Sequence, residues 1–226
     1  MAVYSKLMLS SGGGIISRDQ QAEQVKNTAT VLIGLGGTGI DALRTIKTQV
    51  YSRLKPDDPE AVTPEYAHIR FLGVDTAERS RGDQKKEDEQ DNLKDSQILA
   101  LDEATEFFPI SNPDVKKALS NETALAKRPE LSWLRWREID KPNLSMAGAG
   151  GIRQVGRFLL MDKSEEFAAR LETEIDLARQ DLRSPEIRVH ILTGLCGATG
   201  SGCFLDVCYL VRSIANDIGG VTVFGY

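Results

Sequence analysis

Gly194-Leu195-Cys196-Gly197-Ala198-Thr199-Gly200-Ser201-Gly202 is the stretch on which the reading of this chain turns. It is preceded by Val189-His190-Ile191-Leu192, a short β-branched and apolar run that suits a buried strand. It is followed by Cys203 to Ile218, where Phe204, Val207, Cys208, Val211, Ile214 and Ile218 recur at helical spacing. The order is therefore strand, glycine-rich turn, helix. Glycines let a ligand approach the backbone without meeting Cβ atoms, and the unpaired N–H groups at a helix start attract anions. Thr199 and Ser201 add hydroxyl donors. The expectation is a phosphate cradle, and one that is not of the Walker type, because no Lys follows the last glycine.

A single turn of this kind is often only a tight connection, so a second one matters. Thr28 to Ile33 (Thr-Ala-Thr-Val-Leu-Ile) reads as a strand. Gly34-Leu35-Gly36-Gly37-Thr38-Gly39 follows at once, and Ile40, Leu43, Ile46, Val50 and Leu54 then repeat at helical spacing. This is the opening unit of a nucleotide-binding α/β sheet. Ile69 to Val74 reads as the next strand, with Asp75 and Thr76 at its end, where ligands of open α/β sheets gather. In a dinucleotide site Asp75 would hold ribose hydroxyls. In a mononucleotide site Asp75 and Thr76 would lie near the phosphates and their Mg²⁺. An Asp that merely caps a turn is the third option.

A third glycine-rich turn runs from Ala147 through Gly148, Ala149, Gly150 and Gly151 into a helical stretch carrying Arg153 and Arg157. Exposed N–H groups beside a guanidinium suit a terminal phosphate. Ser164 is placed to cap a further helix whose buried stripe is Phe167, Leu171, Ile175, Ala178 and Leu182. Past Gly219-Gly220, Val221 to Phe224 is another strand. Residues 1–27 read as a leader, with Ser17 and Gln20 at capping-box spacing ahead of a short helix. Residues 28–226 read as one nucleotide-binding domain, with an insert over about 78–146 that is poor in strand signals. Within it, Ser96 to Phe108 is compatible with a helix, and Asn112-Pro113 is a good helix start. Trp133 and Trp136, three apart, would share one helix face.

Composition excludes several classes. Hydrophobic residues make up 41% and charged residues 27% of the 226, which is ordinary for a globular chain. A net charge of −5 gives no basic excess for tracking nucleic acid. No apolar run approaches a membrane span, and no secretory signal is evident. The three cysteines (Cys196, Cys203, Cys208) are odd in number and clustered, and the two histidines lie far apart. Neither a disulfide framework nor a side-chain metal site is expected, and a reducing cytoplasm fits best.

Taken together, these segments resemble the tubulin/FtsZ family, more closely its divergent bacterial tubulin-like proteins. Gly34 to Gly39 is similar to the family's first phosphate loop, and Val74-Asp75-Thr76 to the end of its second strand. Gly148-Ala149-Gly150 with Val155-Gly156-Arg157 is similar to the loop that senses the terminal phosphate. Gly194 to Gly202 resembles the signature Gly-Gly-Gly-Thr-Gly-Ser-Gly, with Cys196 and Ala198 where that signature has Gly. Asp41 stands where FtsZ has Asn. The resemblance implies a Rossmann-like, mostly parallel sheet with helices on both faces and a helical insert.

It also implies GTP or GDP with Mg²⁺. Gly36, Gly37 and Thr38 would contact the α- and β-phosphates from one side, and Gly197, Ala198, Thr199, Gly200 and Ser201 from the other. Gly148, Ala149 and Gly150 would close over the γ-phosphate with Arg153 as a charge partner, and Asp75 and Thr76 would sit beside them. The family's ribose loop, base-stacking helix and acidic catalytic loop are not in this sequence. The expectation is thus a phosphate half-site on a fragment or truncated relative. Hydrolysis would need the missing elements, and exposed apolar surface would lead to self-association or pairing with a second tubulin-like chain. Two other readings stay open: an NAD(P)-type dinucleotide binder using Gly34 to Gly39 and Asp75, and a non-hydrolysing interaction module using the Trp133/Trp136 insert.

Overall fold

The computed structural model describes residues 28–54, 57, 68–76, 98–139, 149–180, 182–183 and 186–226. Among them one sheet carries five strands: β1 (Thr28–Leu35), β2 (Ile69–Asp75), β3 (Phe107–Pro109), β4 (Glu186–Thr193) and β5 (Val221–Gly225). Their order is β3-β2-β1-β4-β5, and every pairing is parallel. The helices are α1 (Gly36–Leu54), α2 (Val115–Ser120), α3 (Glu122–Ala126), α4 (Arg153–Asp162), α5 (Ser164–Arg179) and α6 (Ala198–Ile218). This is the Rossmann-like α/β class.

The alternation of side chains along β1 sorts the helices between the two faces. Leu32 points with Phe71 of β2 toward Ile40 and Leu43 of α1. Val31, Ile33 and Leu35 point the other way, into a larger core with Phe158 of α4, Phe167, Leu171 and Ile175 of α5, and Cys203, Val207 and Val211 of α6. A central parallel strand buried on both faces needs apolar residues throughout, and Val31 to Leu35 has no polar side chain.

The insert departs from the sequence expectation. Its described part is not wholly helical: Phe107–Pro109 adds a third parallel strand beside β2, where a helix over Ser96 to Phe108 was expected. Gly73 N–H donates to Glu106 O at 2.7 Å as this short ladder begins, and Pro109 ends it. Buried charges fasten the approach to that strand. Lys47 of α1 donates to Glu106 at 2.5 Å and to Ala100 O at 2.9 Å. Glu174 of α5, 1% exposed, takes Arg70 at 2.7 Å and Arg170 at 2.8 Å.

A three-residue strand flanked by such pairs is set by tertiary contacts, which local periodicity does not show. Asn112 does not open a helix directly. Its Oδ1 accepts from Asp114 N–H at 2.9 Å, and α2 starts at Val115. Trp133 and Trp136 lie in turns rather than on a helix face. The leader helix proposed within 1–27, the residues near Gly148 and residues 77–97 lie outside the described residues.

Candidate functional site

The chain leaves β1 for α1 on one face of the sheet and β4 for α6 on the other. β1 and β4 are neighbours, with Leu35 level with Thr193 at their carboxyl ends. A crevice between two such strands is the topological switch point, the place where open α/β sheets bind ligands.

The first wall of the crevice has almost no loop. Helix α1 begins at Gly36, the residue after β1, at φ 66°. A Cβ at Gly36 would lie 2.8 Å from Gly200 N, so the first and last glycine-rich turns meet across the crevice. A Cβ at Gly39 would lie 2.3 Å from Leu192 O, and one at Gly34 2.6 Å from Gly39 O. These glycines let α1, β1 and β4 touch backbone to backbone. Gly37 is half-buried and Thr38 exposed.

The second wall does have a loop. Gly194 faces the Thr38 side chain, 2.8 Å from where its Cβ would be. Leu195, Cys196 and Gly197 are exposed, and nothing lies within 4 Å of a Cβ built on Gly197. Gly197 precedes α6 in extended conformation (φ −80°, ψ 158°) with no side-chain cap. Ser201 Oγ donates back to Gly197 O. The first four N–H groups of any α-helix lack intrahelical acceptors, so α1 and α6 bring two sets of amides and two positive dipole ends to one crevice. Gly36, Gly37, Thr38, Ala198, Thr199, Gly200 and Ser201 supply them.

Behind the crevice, Asp75 and Thr76 are buried at the end of β2. Thr76 N–H donates to Asp75 Oδ1 at 2.7 Å, and the hydroxyls of Thr76 and Thr199 lie 3.1 Å apart. Asp75 is thus turned onto its own chain, as a turn-capping aspartate would be.

The remaining turn arrives with α4. Gly148 lies outside the described residues. Ala149 is buried, while Gly150 (φ 56°) and Gly151 (φ 79°) are exposed and left-handed. Helix α4 then packs directly on α6: a Cβ at Gly156 would lie 2.6 Å from Ala198 O, and one at Gly202 2.4 Å from Arg153 O. A guanidinium N–H of Arg153 donates to Leu195 O at 2.9 Å, on the exposed loop of the second wall. Arg157 has a different role. It forms a fork to Asp206 at 2.7 and 2.8 Å, which raises its pKa against the lowering effect of burial. The ring of Trp133 lies 4.2 Å from its Cζ.

Sequence reasoning missed Thr193. Its Oγ1 is buried and has no hydrogen-bond partner among the described residues, at the carboxyl end of β4 against Gly200. Its position as the last strand residue before Gly194 was the available signal. The Asp206 partner of Arg157, 49 residues on, had none. Cys203 is a core thiol. Burial, then Asp206 and Asp75, push its pKa far up, and Sγ donates to Gly156 O at 3.3 Å. Among the described residues no cluster of three His, Cys, Asp or Glu side chains could hold a metal. No helix among them is long and apolar enough to cross a membrane.

A family model described as tubulin-like matches residues 31–226. No curated protein and no solved structure matches the chain.

Proposed function

The chain belongs to the tubulin-like family, and from that premise we propose that residues 28–226 bind GTP or GDP through their phosphates, as one unit of a divergent bacterial filament-forming protein. Gly36 to Thr38 would take the α- and β-phosphates from the α1 side and Gly197 to Ser201 from the α6 side. Gly148 to Gly150 would close over the γ-phosphate, with Arg153 adding charge, and Asp75 and Thr76 would support the turns from behind. The observation that carries this is the meeting of Gly36 and Gly200 across the β1/β4 switch point.

Backbone amides dominate the site, so it fits an anion without any side-chain metal cage. Mg²⁺ would be held by the phosphate oxygens and would neutralise their charge. Asp75, at the carboxyl end of β2, is turned onto its own chain, and Asp206, on α6, is paired with Arg157. Hydrolysis would then need the acidic groups that the family supplies from its catalytic loop. Asp75 also weighs against the NAD(P) reading, because its Oδ1 caps Thr76 and the residue is 9% exposed.

Self-association or pairing with a second tubulin-like chain is supported by apolar surface. Leu205 and Tyr209 of α6 are 65% and 71% exposed, and Tyr226 beside the edge strand β5 is 63% exposed. Thermal unfolding with Mg·GTP, Mg·GDP and NAD tests the nucleotide assignment. GTP and GDP at 100 Kd should each stabilise by about 2.7 kcal/mol and NAD by nothing. Stabilisation by NAD alone would transfer the site to the dinucleotide reading.

A further inference from the structure

We propose that Arg157 is a positioning residue for the terminal-phosphate turn, and that Trp133 of the insert sets its position. The inference rests on the phosphate reading above and adds to it a route from the insert to the nucleotide. Arg153 and Arg157 are four residues apart on α4 and so share one face. That face looks onto α6: Arg153 O lies 2.4 Å from where a Cβ at Gly202 would be, and Arg157 binds Asp206.

Backbone contact at Gly156 and Gly202 fixes how closely α4 approaches α6. It does not fix rotation or sliding, because glycine surfaces present no interlocking side chains. The buried Val155 and Phe158 restrain these motions from the core side, and the two-pronged Arg157–Asp206 pair restrains them from the outer side, since a planar guanidinium meets a carboxylate in one orientation. One turn earlier on the same helix, Arg153 reaches Leu195 O at 2.9 Å, and Gly150-Gly151 enter the helix just before it.

Trp133 lies over Arg157, with its ring centroid 4.2 Å from Cζ. Its indole N–H is buried without an acceptor among the described residues, so the stacking contact holds the ring where its polar atom gains nothing. A contiguous path therefore runs from Trp133 through Arg157 and α4 to Arg153 and the 149–151 turn. It ends on that turn and leaves α1, which would grip the inner phosphates, to one side, while the α6 amides adjoin it at Ala198. Loosening Arg157 should weaken the response to a third phosphate more than it weakens diphosphate binding.

The test is calorimetric titration of Mg·GTP and Mg·GDP into the full chain, the parent beside Arg157→Lys and Asp206→Asn. The GTP-over-GDP preference should fall about 10-fold in both variants, within the usual range of a coupling energy, with the smaller change in GDP affinity. Retained GDP binding also certifies that each variant is folded. A second measurement uses a Trp136→Phe background, in which GTP but not GDP should alter Trp133 fluorescence. An unchanged preference, an equal loss of GDP binding, or a Trp133 signal blind to the third phosphate would each overturn the positioning role while the phosphate site stands. A parent that binds neither nucleotide would overturn the phosphate reading itself.

Discussion

The two strand-turn-helix units that line the crevice are built from similar sequence and do different things. In β1–α1 the glycines at 34, 36 and 39 are each blocked by backbone atoms within 3 Å of a would-be Cβ. In β4–α6, Gly200 and Gly202 are blocked in the same way, but Gly197 faces open space on an exposed loop. A glycine-rich turn thus combines two requirements: close backbone packing, which fixes the scaffold, and open backbone, which leaves room for a ligand. The first brings the two helix starts together, and the second leaves backbone free to meet a ligand.

Substitutions at the two kinds of glycine should separate these requirements. The largest effect is expected at the packed positions. Gly39→Val puts side-chain atoms into Leu192 O, a backbone atom that cannot give way, and should cost about 3 kcal/mol or more, read as a collapse of the denaturant midpoint. Gly200→Val, which meets Thr193 Oγ1 and Leu35 O at 2.5 and 2.8 Å, belongs with it, so lost binding in that variant would reflect misfolding. Gly36→Ala should follow at about 2 kcal/mol, since φ 66° and the Gly200 contact both oppose a side chain.

A smaller effect of opposite sign is expected at Thr193. Replacing its buried, unpartnered hydroxyl with Val should stabilise the unliganded chain by about 1 kcal/mol in chemical denaturation. If bound nucleotide uses that hydroxyl, the gain should vanish in saturating Mg·GTP. The smallest effect probes the strand that leads into the open turn. Burial, with a lesser contribution from Arg188, holds the His190 pKa below its ordinary value. The unfolded chain then binds more protons, and stability is lost as pH falls through the unfolded pKa toward the lower folded one. Melting temperature should decline from pH 7 to pH 5, and His190→Gln should flatten that slope.

Much of this was legible in the sequence, for physical reasons that differ by element. The strands at Thr28 and Glu186 and the helices after them announce themselves because each must bury a face, and burial imposes periodicity. The stripe Phe167, Leu171, Ile175 and Ala178 is buried for that reason. The insert was misread because β3 is held by Lys47–Glu106 and its neighbours, partners 59 residues apart. Trp133 was read by spacing as one side of a helix, whereas its position follows from Arg157, 24 residues later in the numbering. Within the site, the glycine pattern located the turns and could not say which glycines are packed and which are open. That distinction depends on which backbone lies opposite, as Gly197 and Gly200, three residues apart, illustrate.

Gly197→Val therefore isolates the central claim, that exposed amides at the β1/β4 switch point hold nucleotide phosphates. Its extended backbone accepts Val without strain, so its melting temperature should match the parent's. Titration of Mg·GTP into the two proteins should then show binding by the parent and at least about a 10-fold loss in the variant, a difference of about 1.4 kcal/mol. Equal affinity in two equally stable proteins would contradict the account.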